Sequence, residues 1–245
     1  MSGNVLVGAC GAAMMLNLSE YLIALHRNDF TVRVVLTATA ASIVPARSLA
    51  LCCDSVIDCS DRSAHFSPGH VDLARWADQI LVLPATAHLL GVAAAGQAPN
   101  FLASVLLAHE RPVTFFPSMN AAMLANPAVR RNIATLRADG HAVVDPVSRL
   151  TYEVASRTCA EAPTVPPPPQ VAEYTRRALA ARSRRSPDAG KDAFPPPAHA
   201  GKDAIPASSP PPHAGKDAKP ASPAPRYAGK DASPALNAGK ASFPA

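Results

Sequence analysis

The sequence predicts an α/β fold, a doubly wound parallel sheet flanked by helices, followed by a disordered Pro/Ala-rich C-terminal tail. Three observations carry that expectation. Short apolar, β-branched runs alternate with segments whose apolar residues recur at helical spacing. A glycine turn, Gly8-x-x-Gly11, separates the first such run from the first such segment. Finally, 26 prolines are too many for one compact domain of 245 residues, and most lie beyond Val165.

Asn4–Val7 is the first apolar run, ending at Gly8, and Leu16, Leu18, Leu22, Ile23 and Leu25 then keep helical spacing up to Asn28. Thr31–Thr37 is a β-branched second strand, Ala40–Leu51 a second helix and Ser55–Asp58 a short third strand. Val71–Asp78 reads as a short helix with Leu73, Trp76 and Ala77 inward. It leads into Gln79–Pro84, a strand of the kind buried on both faces in parallel sheets. Ala87–Ala95 and Asn100–Leu107 are helices, Pro112–Pro117 a strand, Ala128–Ala138 a helix and Gly140–Val144 a strand. Right-handed crossovers in such a sheet place ligands at the C-terminal ends of its strands.

Gln170–Arg185 is the last helix, with five arginines in its final ten positions. Beyond Ser186, Ala-Gly-Lys-Asp-Ala starts at Ala189, Ala200, Ala214 and Ala228, and a shortened copy starts at Ala238. These units have almost no apolar side chains to bury, so a flexible tail fits better than a solenoid. The expected division is a folded domain over residues 1–165, a C-terminal helix over 166–185 and a low-complexity tail over 186–245.

The formal charge is +5, and the tail beyond Arg185 carries seven Lys/Arg against five Asp. So mild an excess does not call for nucleic acid as a partner. No run of eighteen apolar residues occurs, so no transmembrane helix is expected. The cysteines, Cys10, Cys52, Cys53, Cys59 and Cys159, are odd in number and irregularly spaced, as expected of reduced thiols in a cytoplasm. They form no C-x-x-C pair, and the histidines are scattered, so no metal site is expected. Val7-Gly8-Ala9-Cys10 imitates a lipoprotein cleavage box. No Lys or Arg precedes it and its apolar stretch is short, so no signal peptide is read there.

Gly8-x-x-Gly11 is either a phosphate cradle, with helix N–H groups aimed at an anion, or an ordinary tight turn. Thr37, Thr39 and Thr86 fall at strand ends on the same edge, where they either add hydroxyls to the cradle or face solvent. Asn120, in Pro117-Ser118-Met119-Asn120-Ala121-Ala122-Met123, stands just beyond a strand and can donate to a carboxylate while accepting from an amide. Met119 and Met123 pack either beneath a flat ring or into the core. His70 opens a helix, as a general base near neutral pH or as a surface residue. Arg157 and Cys159 follow Tyr152-Glu153-Val154 in a polar stretch.

Together these motifs resemble the homo-oligomeric flavin-containing cysteine decarboxylases over about residues 3–160. His70 in H-x-x-L-x-x-W-A-D is similar to the family's active-site histidine, Leu83-Pro84-Ala85-Thr86-Ala87-His88 to its P-A-[ST]-A-N-T motif, and Pro117–Met123 to its P-x-M-N-x-x-M motif. His88 and Leu89 depart from the usual Asn-Thr, and Leu124 stands where a Trp often follows. The resemblance implies a Rossmann-like (flavodoxin-like), three-layer αβα domain that binds FMN. It implies cofactor contacts from Gly8, Gly11, Ala12, Thr37, Thr39, Pro84, Ala85, Thr86 and Met119, Ala12 replacing a frequent hydroxyl. It makes His70 and Asn120 the catalytic pair, with Met123, Ser156 and Arg157 joining Asn120 on the substrate. It also implies a pocket shared between subunits of a trimer, with a dodecamer of such trimers left open.

Three branches of that family compete: peptidyl-cysteine decarboxylases of the epidermin type, phosphopantothenoylcysteine decarboxylase of coenzyme A synthesis, and flavin prenyltransferase. Asn120 disfavours the last. The coenzyme A enzymes are similar to one another in an Ala-Cys-Gly-Asp clamp, whereas Cys159 here is followed by Ala160-Glu161, and Tyr152-Glu153-Val154-Ala155-Ser156 looks like the peptide-binding clamp of the first branch. The expected substrate is therefore a ribosomally made precursor peptide ending in cysteine, decarboxylated toward aminovinyl-cysteine in antibiotic (lanthipeptide-type) biosynthesis. Other peptide-modifying enzymes are the further partners this implies. Oxidation of the thiol to a thioaldehyde would put a C=S where a β-keto acid has its carbonyl, so that CO2 leaves an enethiolate. A non-catalytic flavoprotein subunit is the alternative of another class, and it should lack the His or the Asn.

Overall fold

The computed structural model describes residues 3–60, 68–153 and 157–183. The apolar runs become β1 (Gly3–Ala9), β2 (Phe30–Leu36), β3 (Ser55–Asp58), β4 (Gln79–Ala85), β5 (Thr114–Pro117) and β6 (Ala142–Val143). They form one parallel sheet in the order β3-β2-β1-β4-β5-β6. β1 lies at the centre, with Val5 opposite both Val32 of β2 and Gln79 of β4.

Alternation along β1 explains the two outer layers. Leu6 and Cys10 point to one face, where Leu73 of α4 (His70–Trp76), Leu89 of α5 (Ala87–Ala94), Leu102 of α6 (Phe101–Ala108) and Leu136 of α8 (Pro127–Ala138) cover them. Val5, Val7 and Ala9 point to the other. That face is closed by α1 (Leu18–His26) after a 3-10 turn, by α2 (Ala38–Ile43) and α3 (Ala46–Leu49), and by α9 (Pro168–Ser183). The result is the three-layer αβα architecture expected, and every residue of β4 is buried. Ile80 and Val82 face the first layer and Leu81 and Leu83 the second. A register shift between Val82 and Ala85 then turns Ala85 back to the first layer.

Several boundaries differ from the sequence expectation. The single helix over 40–51 is two, because Pro45 has no N–H to donate and holds Val44 extended (φ −129°, ψ 116°). α7 (Ala121–Ala125) is an extra short helix. The polar stretch after β6 is an antiparallel hairpin of β7 (Val147–Glu153) and β8 (Thr158–Thr164), separate from the main sheet. α9 begins two residues before the expected start and buries Val171, Ala172 and Thr175. The repeats over 186–245 and Ser156 lie outside the described residues.

Candidate active site

The strand order reverses between β1 and β4, where chain connections leave toward opposite sides of the sheet. At that point the strand ends are laced together by main-chain bonds. Thr37 N donates to Ala9 O (3.0 Å), Cys10 N to Pro84 O (3.2 Å) and Ser118 N to Ala85 O (2.9 Å). The turns leaving β1, β2, β4 and β5 are thus held side by side along one edge.

Three of these turns end in the same device. Thr37 Oγ1 accepts from Ala40 N (3.3 Å), Thr86 Oγ1 from Leu89 N (3.3 Å) and Asn120 Oδ1 from Met123 N (2.8 Å), so each residue is the N-cap of the helix that follows. Capping leaves the earliest N–H groups of α2, α5 and α7 without intrahelical partners. None of the three first turns contains an acidic residue. The edge is therefore suited to an anion by backbone donors and helix dipoles.

The two glycines of the first turn play different parts. A Cβ at Gly11 would overlap Thr39 in the first turn of α2, so the loop after β1 rests directly on α2. Gly8 lies inside β1, and the room of its missing side chain is taken by Leu102, whose Cδ1 would stand 2.6 Å from a Cβ there. Close packing of α6 on the sheet accounts for that glycine. Ala12 is half-buried in extended backbone (φ −131°, ψ 159°) before the 3-10 turn. Pro84 and Ala85 are buried and present their carbonyls to neighbouring turns, which fixes Thr86 at the rim. Thr37 also donates to Ala9 O (3.2 Å), so its hydroxyl is committed to the fold. Thr39 is exposed on the cradle wall.

His70 is the first residue of α4 and is exposed; its ring stands edge-on to Phe101, with centroids 6.4 Å apart and planes at 86°. Phe101, which the sequence reading did not single out, opens α6 and is itself buried. Asn100 Oδ1 caps α6 by accepting from Ala103 N (2.9 Å). The Asn-before-apolar-run pattern was the signal available for it. Asn120 is exposed, and with Oδ1 spent on its cap it offers the Nδ2 amide as a donor. Met119 packs partly against the core, whereas Met123 is 45% exposed on α7, a helix with no buried residue. Arg157 is exposed at the hairpin turn in left-handed backbone (φ 55°), and Tyr152 pairs with Cys159 across the hairpin.

The thiol nearest the site is not poised for chemistry. Burial pushes Cys10 up to about 11, against hydrogen bonds from Thr86 that lower it. Among the described residues no helix is long and apolar enough to cross a membrane.

A family model described as Flavoprotein matches residues 2–166. Mersacidin decarboxylase of Bacillus sp. (strain HIL-Y85/54728) is 39% identical over 158 residues, 63% of this chain and 79% of that protein. The coenzyme A biosynthesis bifunctional protein CoaBC of Vibrio vulnificus (strain YJ016) is 36% identical over 146 residues, 59% of this chain, which spans 36% of that protein. A solved structure of an EpiD variant complexed with the substrate peptide DSYTC superposes with a TM-score of 0.66 at 25% identity, over 72% of this chain and 99% of that one.

Proposed function

The chain belongs to the Flavoprotein family, and from that premise we propose that it is an FMN-dependent decarboxylase acting on the C-terminal cysteine of a ribosomally made precursor peptide. The observation that carries this reading is Asn120, an amide fixed by its own helix cap at the strand edge, with its donor left for a carboxylate. Mersacidin decarboxylase and the EpiD–peptide complex support the choice of a peptidyl substrate.

FMN is the cofactor, and the residues present fit it. The Gly11–Thr39 contact forms a cradle that a Cβ would fill, and three capped helix starts without acidic residues lie along the same sheet edge. Gly11, Ala12 and Thr39 would hold the phosphate, with Thr86 and Met119 beside the ring. Gly8, Thr37, Pro84 and Ala85 would act from behind, by setting the positions of these groups. When bound, FMN supplies an acceptor for the two electrons removed from the cysteine side chain.

The remaining work falls to the chain's own residues. His70, exposed on the edge of Phe101, takes the thiol proton. Asn120 Nδ2 donates to the carboxylate and holds the Cα–C bond that breaks as CO2 leaves. Met123 borders the same edge, Arg157 would close over the peptide from the hairpin turn, and Ser156 is assigned to the peptide with it. A second copy of the chain would complete the site, with His70 and Asn120 drawn from neighbouring subunits of a trimer.

A second reading, phosphopantothenoylcysteine decarboxylase, is favoured by the CoaBC match. Mass spectrometry separates the two. Incubation with a peptide ending in cysteine should remove CO2 together with two hydrogens, whereas phosphopantothenoylcysteine should be left unchanged. The opposite preference would replace the peptide reading with the coenzyme A one.

A further inference from the structure

The peptide-decarboxylase reading leaves open where the rest of the substrate lies, and a groove beside Asn120 bears on that question. Beyond the C-terminal end of β5 a cavity of about 600 Å³ opens between α7, α8 and the chain leaving β6. Pro117, Leu124, Ile133, Val143 and Pro146 give it apolar walls. Leu124 belongs to α7, the helix capped by Asn120, and Pro117 ends the strand that leads to Asn120. At the other end, Pro146 adjoins Val147, where the hairpin begins. The groove therefore lies between the strand and helix that flank Asn120 and the residue that precedes the hairpin.

Two arginines on its wall differ in their surroundings. Arg137 donates to Asp145 Oδ1 (2.7 Å) and to Val143 O (2.8 Å), which fixes it and balances its charge. Arg130 is exposed near the start of α8 and has no ion-pair partner among the described residues. A cation there works against the helix dipole, and both the dipole and the guanidinium favour an anion. No acidic side chain lies in the first turn of α8 to supply one.

We propose that this groove holds the residues upstream of the substrate's C-terminal cysteine, and that Arg130 pairs with an acidic side chain among them. The apolar walls take the intervening side chains, and the single unbalanced charge selects the sign of the anchoring residue. Charge selection of this kind shows in KM and fades with salt.

The test uses two peptides with the same C-terminal cysteine, one with Asp and one with Lys in the upstream positions, on the flavin-loaded wild-type protein and on Arg130→Glu. The substitution should raise KM for the Asp peptide by about tenfold and lower it for the Lys peptide. Fluorescence anisotropy with the same peptides, their terminal cysteine replaced by serine, should show the same crossing in Kd without turnover. Crossing in Kd with neither cysteine peptide decarboxylated would sink the decarboxylase reading and leave the groove assignment standing. Equal shifts for both peptides, or none, overturn the groove assignment. So does an altered oligomeric mass of Arg130→Glu, which makes the groove a contact between copies of this chain.

Discussion

Gly11 and Thr39 meet with no room for a side chain between them, so the loop after β1 and the first turn of α2 form one surface. Gly11→Ala should force them apart, at a cost of about 1–3 kcal/mol for overpacking of this kind. The purified variant should lose most of its flavin absorbance. Adding Thr39→Ser should restore part of it, because serine lacks the methyl that clashes most closely and keeps the hydroxyl assigned to the phosphate. Full flavin content in Gly11→Ala would show that this contact does not shape the cofactor site.

Asn120 caps α7 and is assigned to the substrate carboxylate, and two substitutions separate these roles. Aspartate is as good an N-cap as asparagine, so Asn120→Asp should fold as the wild type does. It nevertheless places a carboxylate against the substrate's own, and turnover should fall by at least about a hundredfold. Asn120→Ala should additionally cost about 0.5–2 kcal/mol of stability through the lost cap. His70→Asn removes only an exposed ring in contact with Phe101, so it should keep both flavin and melting temperature while abolishing CO2 loss. Near wild-type turnover in Asn120→Asp or His70→Asn would refute the role assigned to that residue.

The five thiols should be sharply ranked in reactivity. Burial is the largest cause that pushes Cys10 and Cys53 up to about 11 and Cys59 to about 12, which leaves almost no thiolate near neutrality. Cys159 is exposed on the hairpin. Brief treatment with iodoacetamide near neutral pH should therefore modify Cys159 first, as read by peptide mass mapping. Early labelling of Cys10 would contradict the packing of the site's floor.

The sheet was legible in the sequence because its strands are buried on both faces, which leaves uninterrupted apolar runs such as Ile80–Leu83. The hairpin was not, since Leu150 and Tyr152 alternate with polar residues above no core and stay exposed. α7 escaped notice because a helix with no buried residue has no apolar periodicity. For the candidate site, the motif order singles out Thr86 and Asn120 but not their shared cap geometry. The packing of Leu102 against Gly8 could not be read from the sequence, because the tertiary fold alone brings the two together. The break at Pro45 is legible in the sequence itself, since a proline lacks the N–H that a continuous helix needs there.

His141 should give stability a pH dependence. Its Nδ1 accepts from Val113 N (3.1 Å) and its ring stands edge-on to Phe115, an arrangement open only to an unprotonated Nδ1. Burial lowers its pKa from 6.5, with Asp139 opposing. A lowered folded pKa means that this contribution is complete above the unfolded value and is lost as pH falls through the folded one. The urea midpoint should therefore drop as pH falls below about 6.5, the ordinary histidine value, and His141→Asn should reduce that slope. Identical slopes for the two proteins would remove His141 from the account.

Two truncations test where the working domain ends. α9 buries Val171 and Ala172 against the layer that also holds Leu18 and Leu22, and Tyr174 stands edge-on to Phe116 at 6.5 Å. A fully buried valine contributes about 1.5–3 kcal/mol and a buried alanine methyl less, so ending the chain after Val165 should lower Tm. Beyond Arg185 the Ala-Gly-Lys repeats bring almost no apolar side chains of their own to bury. Ordering them would cost about 1–2 kcal/mol per residue with nothing to offset it. Ending the chain after Arg185 should therefore leave flavin content, oligomeric mass and kcat close to those of the full chain. The regularly placed lysines can still attract an acidic leader segment or another peptide-modifying enzyme, an effect that would appear in KM and fade with added salt. Loss of flavin, or dissociation to monomers, on removal of residues 186–245 alone would make the repeats structural and move the domain boundary into them.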